Sequence, residues 1–200
     1  MFGFKRSHSD HTDEQLVQLM RTGNSEAFNQ LYSRYNQRLL YYFYRMLGNS
    51  EEKARDFLQD IFIKLIDKAD TFDITKRFST WIFSIAHNMC KNEYRRMEVR
   101  INSAFEALDN VYCEQEDLAE DIEVTDLEQF IRDLFEELDD FDEIHKTVFI
   151  LHYREDFSLK EIGQILDISE GTVKSRLFYT RKRLSERLVK YRKALLLDNL

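Results

Sequence analysis

The stretch Ser158-Leu-Lys-Glu-Ile-Gly-Gln-Ile-Leu-Asp-Ile-Ser-Glu-Gly-Thr-Val-Lys-Ser-Arg-Leu177 divides into two short helical patterns around a turn. Ser158 and Glu161 form a capping-box pair, and Leu159, Ile162, Ile165 and Leu166 give the first helix one apolar face. Asp167-Ile-Ser-Glu-Gly171 supplies the turn, since Asp tolerates the left-handed backbone a tight turn needs. Ser169 can cap the second helix, whose apolar side carries Val173, Leu177, Leu184 and Leu188 with Thr180 among them. The other side presents Thr172, Lys174, Ser175, Arg176, Tyr179 and Arg183. This is the pattern of a helix-turn-helix: the first helix braces on the backbone, while the second brings hydroxyl, amine and guanidinium donors to base edges and phosphates of duplex DNA. The same residues also fit a helical hairpin with a solvated basic face.

Outward from this motif the chain reads as helical throughout. Its 200 residues include no proline and only five glycines, while 43% are hydrophobic, enough for two small cores. Thr12-Asp-Glu-Gln15 is another capping-box pattern and opens a short helix with Leu16, Leu19 and Met20. A longer helix follows with Phe28, Leu31, Tyr35, Leu39, Phe43 and Met46, stopped by Leu47-Gly-Asn-Ser50. A third is expected to bury Ala54, Phe57, Leu58, Ile61, Phe62, Leu65 and Ile66. After the polar break Asp70–Arg77, a fourth runs from about Ser79 to Arg96 on a stripe of Phe78, Ile82, Ile85 and Met89. Helices around Leu127–Leu138 and Glu143–Tyr153 precede the helix-turn-helix.

Charge separates these parts. The net charge is −8, but residues 103–143 carry seventeen acidic side chains against one basic, while the flanking parts carry net charges of +3 and +5. A nucleic-acid partner is therefore compatible with an acidic chain, because the acid is concentrated in one segment. The expected fold class is all-α, two small helical domains joined by an acidic flexible linker. The expected division is a flexible N-terminus 1–11, a first domain 12–97, the linker 98–126, a helix-turn-helix domain 127–190 and a tail 191–200.

On the fourth helix, Trp81, Ser84, Asn88, Lys91 and Arg95 share the side away from the core stripe, with Asn92 and Arg96 beside them. An aromatic ring that stacks on a base, amides that bond its edge and cations that hold phosphates suit unpaired nucleic acid. A lone tryptophan at helical spacing also suits a core. The polar face of the third helix, Asp56, Gln59, Asp60, Lys64 and Asp67, reads by itself as solvated.

Ala54-Arg-Asp-Phe-Leu-Gln-Asp-Ile-Phe62, Phe78-Ser-Thr-Trp-Ile-Phe-Ser-Ile-Ala-His-Asn88, Glu161-Ile-Gly-Gln-Ile-Leu166 and Gly171-Thr-Val-Lys-Ser-Arg-Leu177 together resemble motifs of the sigma-seventy family of bacterial RNA polymerase sigma factors, extracytoplasmic-function group. The resemblance implies a factor that binds core RNA polymerase and directs promoter-specific initiation with promoter melting. It implies that Asp56, Gln59, Asp60 and Phe62 meet the clamp helices of the largest polymerase subunit. Arg77, Trp81, Asn88, Lys91, Asn92, Arg95 and Arg96 would recognise and melt the minus-ten element, with a base flipped into a protein pocket. Thr172, Lys174, Ser175, Arg176, Tyr179 and Arg183 would read the minus-thirty-five element as duplex. The acidic linker would run toward the RNA exit path, and an anti-sigma factor is a further implied partner. The chain departs from the pattern with Arg55 in place of an acid, Asn92 in place of Asp, Asp167 in place of a turn glycine and Tyr179 in place of Arg.

The expectation excludes an enzyme, a cofactor and a metal. His8, His11, His87, His145 and His152 make no ligand or acid–base grouping by spacing, and Cys90 and Cys113 stand alone. No apolar run reaches the roughly 18 residues of a membrane span, and the N-terminus lacks a signal-peptide core, so a cytoplasmic location without membrane insertion is expected. The rival from another class is a stand-alone helix-turn-helix regulator that binds duplex DNA tightly without polymerase.

Overall fold

The computed structural model describes residues 11–105 and 126–191. Among them are eight α-helices and no strand: α1 Asp13–Arg21, α2 Ser25–Met46, α3 Glu51–Lys68, α4 Phe78–Phe105, α5 Asp126–Asp139, α6 Glu143–Tyr153, α7 Leu159–Leu166 and α8 Glu170–Arg187. The all-α expectation holds. Two compact units are present, with the main boundary inside α4, between Met89 and Cys90. The N-terminal residues 1–10, the C-terminal residues 192–200 and residues 106–125 of the expected linker, with Cys113, lie outside the described residues.

Helix starts follow local chemistry. Thr12 and Ser158 each complete a capping box, with Gln15 and Glu161 bonding back to the cap backbone. Asn24, Ser50, Asp142 and Ser169 cap α2, α3, α6 and α8 through their side-chain oxygens. α2 ends where Gly48 and Asn49 both take positive φ, of 73° and 57°. α4 continues nine residues past the Arg96 expected from sequence, into the segment read as linker. Met97-Glu-Val-Arg-Ile-Asn-Ser-Ala-Phe105 contains no Gly or Pro, so nothing in it stops a helix that is already propagating.

In the N-terminal unit α1 packs on α2 and α2 on α3. Leu16, Val17, Leu31, Leu39, Met46, Ile61 and Leu65 of these helices are buried, as is Ile82 of α4. Aromatic rings fill the rest, with Tyr42 against Phe83 at 5.6 Å, Phe43 against Phe57 at 5.5 Å and Tyr35 against Phe78 at 5.1 Å, all near edge-to-face. Two stripe assignments need correction. On α4 the most buried positions are Phe78, Ile82, Phe83 and Ala86, while Ile85 and Met89 are only partly covered. On α3, Ile66 is 56% exposed, because a position one residue past Leu65 turns about 100° away from the core.

In the C-terminal unit Leu138, Val148, Leu151, Ile162, Val173, Leu177, Leu184 and Leu188 are buried. The basic end of α8 is bound to the acidic α5 and the turn after it. Arg187 Nη1 donates to Glu137 at 2.7 Å and Asp140 at 2.8 Å, Lys190 pairs with Asp133, and Tyr191 donates to Asp133 at 2.7 Å. Lys190 and Tyr191 hold the Asp133 carboxyl below the usual carboxylate range. Part of the acidic segment thus neutralises the far end of the basic helix.

The turn between α7 and α8 depends on two residues. Asp167 takes the left-handed conformation, φ 55° and ψ 49°, as its type allows. Gly163 lets the chain fold back closely: a methyl group added there would stand 2.8 Å from the carbonyl oxygen of Ile168. Alanine normally gains up to about 1 kcal/mol over glycine in a helix, but overpacking against fixed backbone costs about 1–3 kcal/mol. Gly163→Ala is therefore expected to destabilise the C-terminal unit, measured as a lower thermal or urea midpoint; a raised midpoint would show that the turn has room.

Candidate nucleic-acid and docking faces

The loop between α3 and α4 is braced at several points. Asp73 Oδ1 accepts from the Thr75 amide at 3.0 Å and the Thr75 hydroxyl at 2.8 Å, and the Lys76 amide donates to the Asp73 carbonyl. Phe72 is buried. The α4 start receives its cap from a distant helix, because Glu14 Oε1 of α1 accepts the Phe78 amide at 2.9 Å. The Glu14 carboxyl lies below its ordinary range: partial burial works to raise it, but the Phe78 and Glu14 amides, the Thr12 hydroxyl and the charge of Arg77 outweigh that effect.

Along α4, residues 77, 81, 84, 88, 91, 92 and 95 fall on one side at helical spacing. Arg77, Asn88, Lys91, Asn92, Arg95 and Arg96 are exposed, and Arg96 lies 3.8 Å from Glu93. Trp81 is half-buried, tilted against Phe72 at 5.0 Å and Phe78 at 5.8 Å. Trp81 thus contributes to the core while part of it stays accessible to solvent. A cleft of about 710 Å³ opens beside this face, with Gln15, Gln18 and Arg34 on one side and Thr75, Arg77 and Ser79 on the other.

A second cleft, of about 570 Å³, lies between α2 and α3 and is lined by Phe28, Tyr32, Leu40, Leu58, Gln59 and Ile66 among others. Gln59 lines this cleft and is exposed, and Asp56 and Asp60 are exposed on the same helix. Phe62 is not a surface group. It is 5% exposed beneath Tyr32, with the rings 4.7 Å apart, and Phe28 meets its edge at 6.0 Å. The apolar groups that do face outward are Tyr32 (43% exposed), Ile63 (49%) and Ile66 (56%), none of which the sequence reading placed in the docking set. Ile63 carried a usable signal, as an apolar residue out of phase with the core stripe and set among polar positions. Arg55 pairs with Glu51 one turn earlier at 2.5 Å, both fully at the surface, an arrangement of little energetic weight.

On α8, Lys174, Ser175 and Tyr179 are exposed, while Thr172 and Arg176 are partly covered. The Thr172 hydroxyl is 2.8 Å from that of Ser169, so it belongs to the helix cap. Arg183 lies over the Phe141 ring, 4.7 Å from its centroid, and so supports the unit's own packing. Phe178, absent from the sequence-based set, is 61% exposed and meets Tyr179 edge-on at 5.5 Å. The outward ridge therefore runs from small residues at its N-terminal end, through an aromatic pair, to cations, a shape that permits close approach to a groove by the first turns. Among the described residues no cluster of metal-ligating side chains is present, and no helix is long and apolar enough to cross a membrane.

Comparison with known proteins identifies two family regions in the chain. Residues 31–99 match the Sigma-70 region 2 family and residues 138–186 match Sigma-70, region 4. The ECF RNA polymerase sigma factor SigW of Bacillus subtilis is 32% identical over 181 residues, covering 86% of this chain and 94% of that protein. Among solved structures, the sigma factor RpoE of Bartonella quintana, in complex with the anti-sigma factor NepR, aligns over 80% of this chain and 96% of its own at 22% identity, with a TM-score of 0.63. CnrH, in complex with the cytosolic domain of CnrY, aligns over 89% of this chain and 97% of its own at 25% identity, also with a TM-score of 0.63. With both regions present in one chain, the alternative of a stand-alone helix-turn-helix regulator falls away. The chain belongs to the sigma-70 family of RNA polymerase sigma factors, in its extracytoplasmic-function group.

Proposed function

We propose that this sigma factor divides its work among three faces, and that it makes promoter-specific initiation possible without chemistry of its own. The α2–α3 cleft, with Asp56, Gln59 and Asp60 on its rim and Tyr32, Ile63 and Ile66 as apolar anchors, takes the clamp helices of the largest polymerase subunit. Phe62 supports Tyr32 from below. The observation that carries this reading is the cluster of exposed apolar side chains beside an open cleft in the N-terminal unit. Contiguous exposed apolar surface is a usual mark of a protein-docking site.

The region from residue 12 to 97 engages the minus-ten element. Arg77, Lys91, Arg95 and Arg96 hold the strand by its phosphates, Trp81 offers its outward side to a base leaving the stack, and Asn88 and Asn92 bond base edges. The cleft beside Arg77 and Ser79 receives the flipped base. The unit from 127 to 190 reads the minus-thirty-five duplex through Lys174, Ser175, Arg176 and Tyr179, with Thr172 and Arg183 shaping the helix. The 98–126 linker, strongly acidic, repels free DNA until polymerase engages it. The protein acts in the cytoplasm with polymerase, and an anti-sigma factor holds it inactive by covering the same docking and promoter faces.

Two measurements divide these roles. Ile63→Glu or Ile66→Glu, at exposed positions, is expected to weaken binding to core polymerase by about tenfold or more, the scale of one interface anchor. Trp81→Ala is expected to keep core affinity and lose promoter opening. If core binding is unaffected by either isoleucine variant, the cleft is not the docking face. Lys174→Ala, assayed across a salt series with holoenzyme, should weaken promoter binding and reduce the salt slope by about one unit; an unchanged slope would remove Lys174 from the phosphate contacts.

A further inference from the structure

The loop from Ala69 to Phe78 is held at both ends by one helix that none of the promoter motifs includes. At its start, Arg21 of α1 donates through Nε to the Ala69 carbonyl at 2.9 Å and through Nη2 to the Phe72 carbonyl, with Asp70 3.9 Å from Nε. At its end, Glu14 of α1 accepts the Phe78 amide. Glu14 and Arg21 are seven residues apart, two helical turns, and so share a side of α1. The span they fix contains Phe72 and ends on Phe78, the two rings against which Trp81 packs. α1 also forms the opposite side of the cleft beside Arg77. A guanidinium fork reaches two carbonyls at once in a way that an ammonium cannot, and a carboxylate at a helix start both accepts an amide and favours the helix dipole.

We propose that Glu14 and Arg21 are positioning residues for promoter opening: from one side of α1 they clamp both ends of the 69–78 loop and so set how Trp81 and Arg77 face the unpaired strand. The proposal rests on the assignment of Trp81 and Arg77 to minus-ten opening. Glu14 stands on the wall of the cleft beside Arg77 and Arg21 lies outside it, and the role proposed for both is indirect. They act through the loop, lowering the cost of ordering it when a base leaves the duplex.

Trp81 is the only tryptophan of the chain, so its fluorescence reports the clamp directly. Full-length Glu14→Ala, Glu14→Gln, Arg21→Ala and Arg21→Lys would be compared with wild type in three assays: acrylamide quenching of Trp81, core-polymerase affinity, and transcription by holoenzyme from a duplex promoter and from the same promoter pre-opened over the minus-ten element. Loss of one charge-assisted hydrogen bond is expected to slow duplex opening about tenfold. Glu14→Ala and Arg21→Lys should show that loss, raised Trp81 quenching, unchanged core affinity and near-normal transcription from the pre-opened template. Glu14→Gln, which keeps an acceptor oxygen, should restore much of the activity. If Arg21→Ala lowers the melting temperature, Arg21→Lys carries the test, since it retains the charge and the stem.

An equal loss on both templates would mean a merely structural role and would overturn the proposal, as would wild-type quenching and opening in all variants. Wild-type protein that opens the promoter beside indifferent clamp variants sinks only the clamp. Wild-type holoenzyme that gives no promoter-specific transcript removes the clamp together with the promoter assignment on which it rests.

Discussion

Phe78 stands where the loop ends and α4 begins, and its ring meets those of Tyr35, Phe72 and Trp81. It is 1% exposed, so the first residue of the helix is fixed in the core of the N-terminal unit. A helix is stiff over several turns, and an anchor at its first residue sets the direction of every side chain that follows. Within the N-terminal unit, Ser84 and Asn88 inherit their orientation from that buried ring. The same packing leaves Trp81 half out of the core, which a tryptophan tolerates better than a phenylalanine because it combines a large apolar face with a polar edge.

The unit consequently places its apolar surface in two ways. Inside, edge-to-face rings close the core. Outside, Tyr32, Ile63 and Ile66 stay open around a cleft, where a fold selected for stability alone would put charge. The C-terminal unit shows the same division in its charges. Arg183 and Arg187 lie against Phe141, and Arg187 and Lys190 pair with acids of α5 and the following turn, so these three serve the unit's own packing, while Lys174, Arg181 and Lys182 are exposed on α8. A count of basic residues overstates how many of them stand apart from the unit's own packing.

Much of this was legible beforehand. Capping boxes at Thr12 and Ser158, the cap at Ser169 and the left-handed turn at Asp167 are decided by a few neighbouring residues, and the structure has all of them. What sequence reading missed depends on rotation by a single residue or on distant partners. Ile66 differs from its expected burial because neighbouring positions on a helix point about 100° apart, and periodicity fixes the stripe only to about that margin, whereas Phe62 is buried as its place on the stripe implies. The end of α4 was set too early because charge composition changes before the helix stops. Glu14 and Arg21 carry no local signal for their role, since their partners, Phe78, Ala69 and Phe72, lie about fifty or more residues away in the chain.

The packing of α1 on α2 and of α2 on α3 has a kinetic consequence. Each helix finds its partner next to it in sequence, so little loop entropy opposes the encounter, and domains dominated by such local contacts fold in roughly microseconds to milliseconds. For a chain of this design the time from synthesis to a usable polymerase surface is then set by translation and not by the search for the fold. A burst of new protein becomes competent nearly as fast as ribosomes release it.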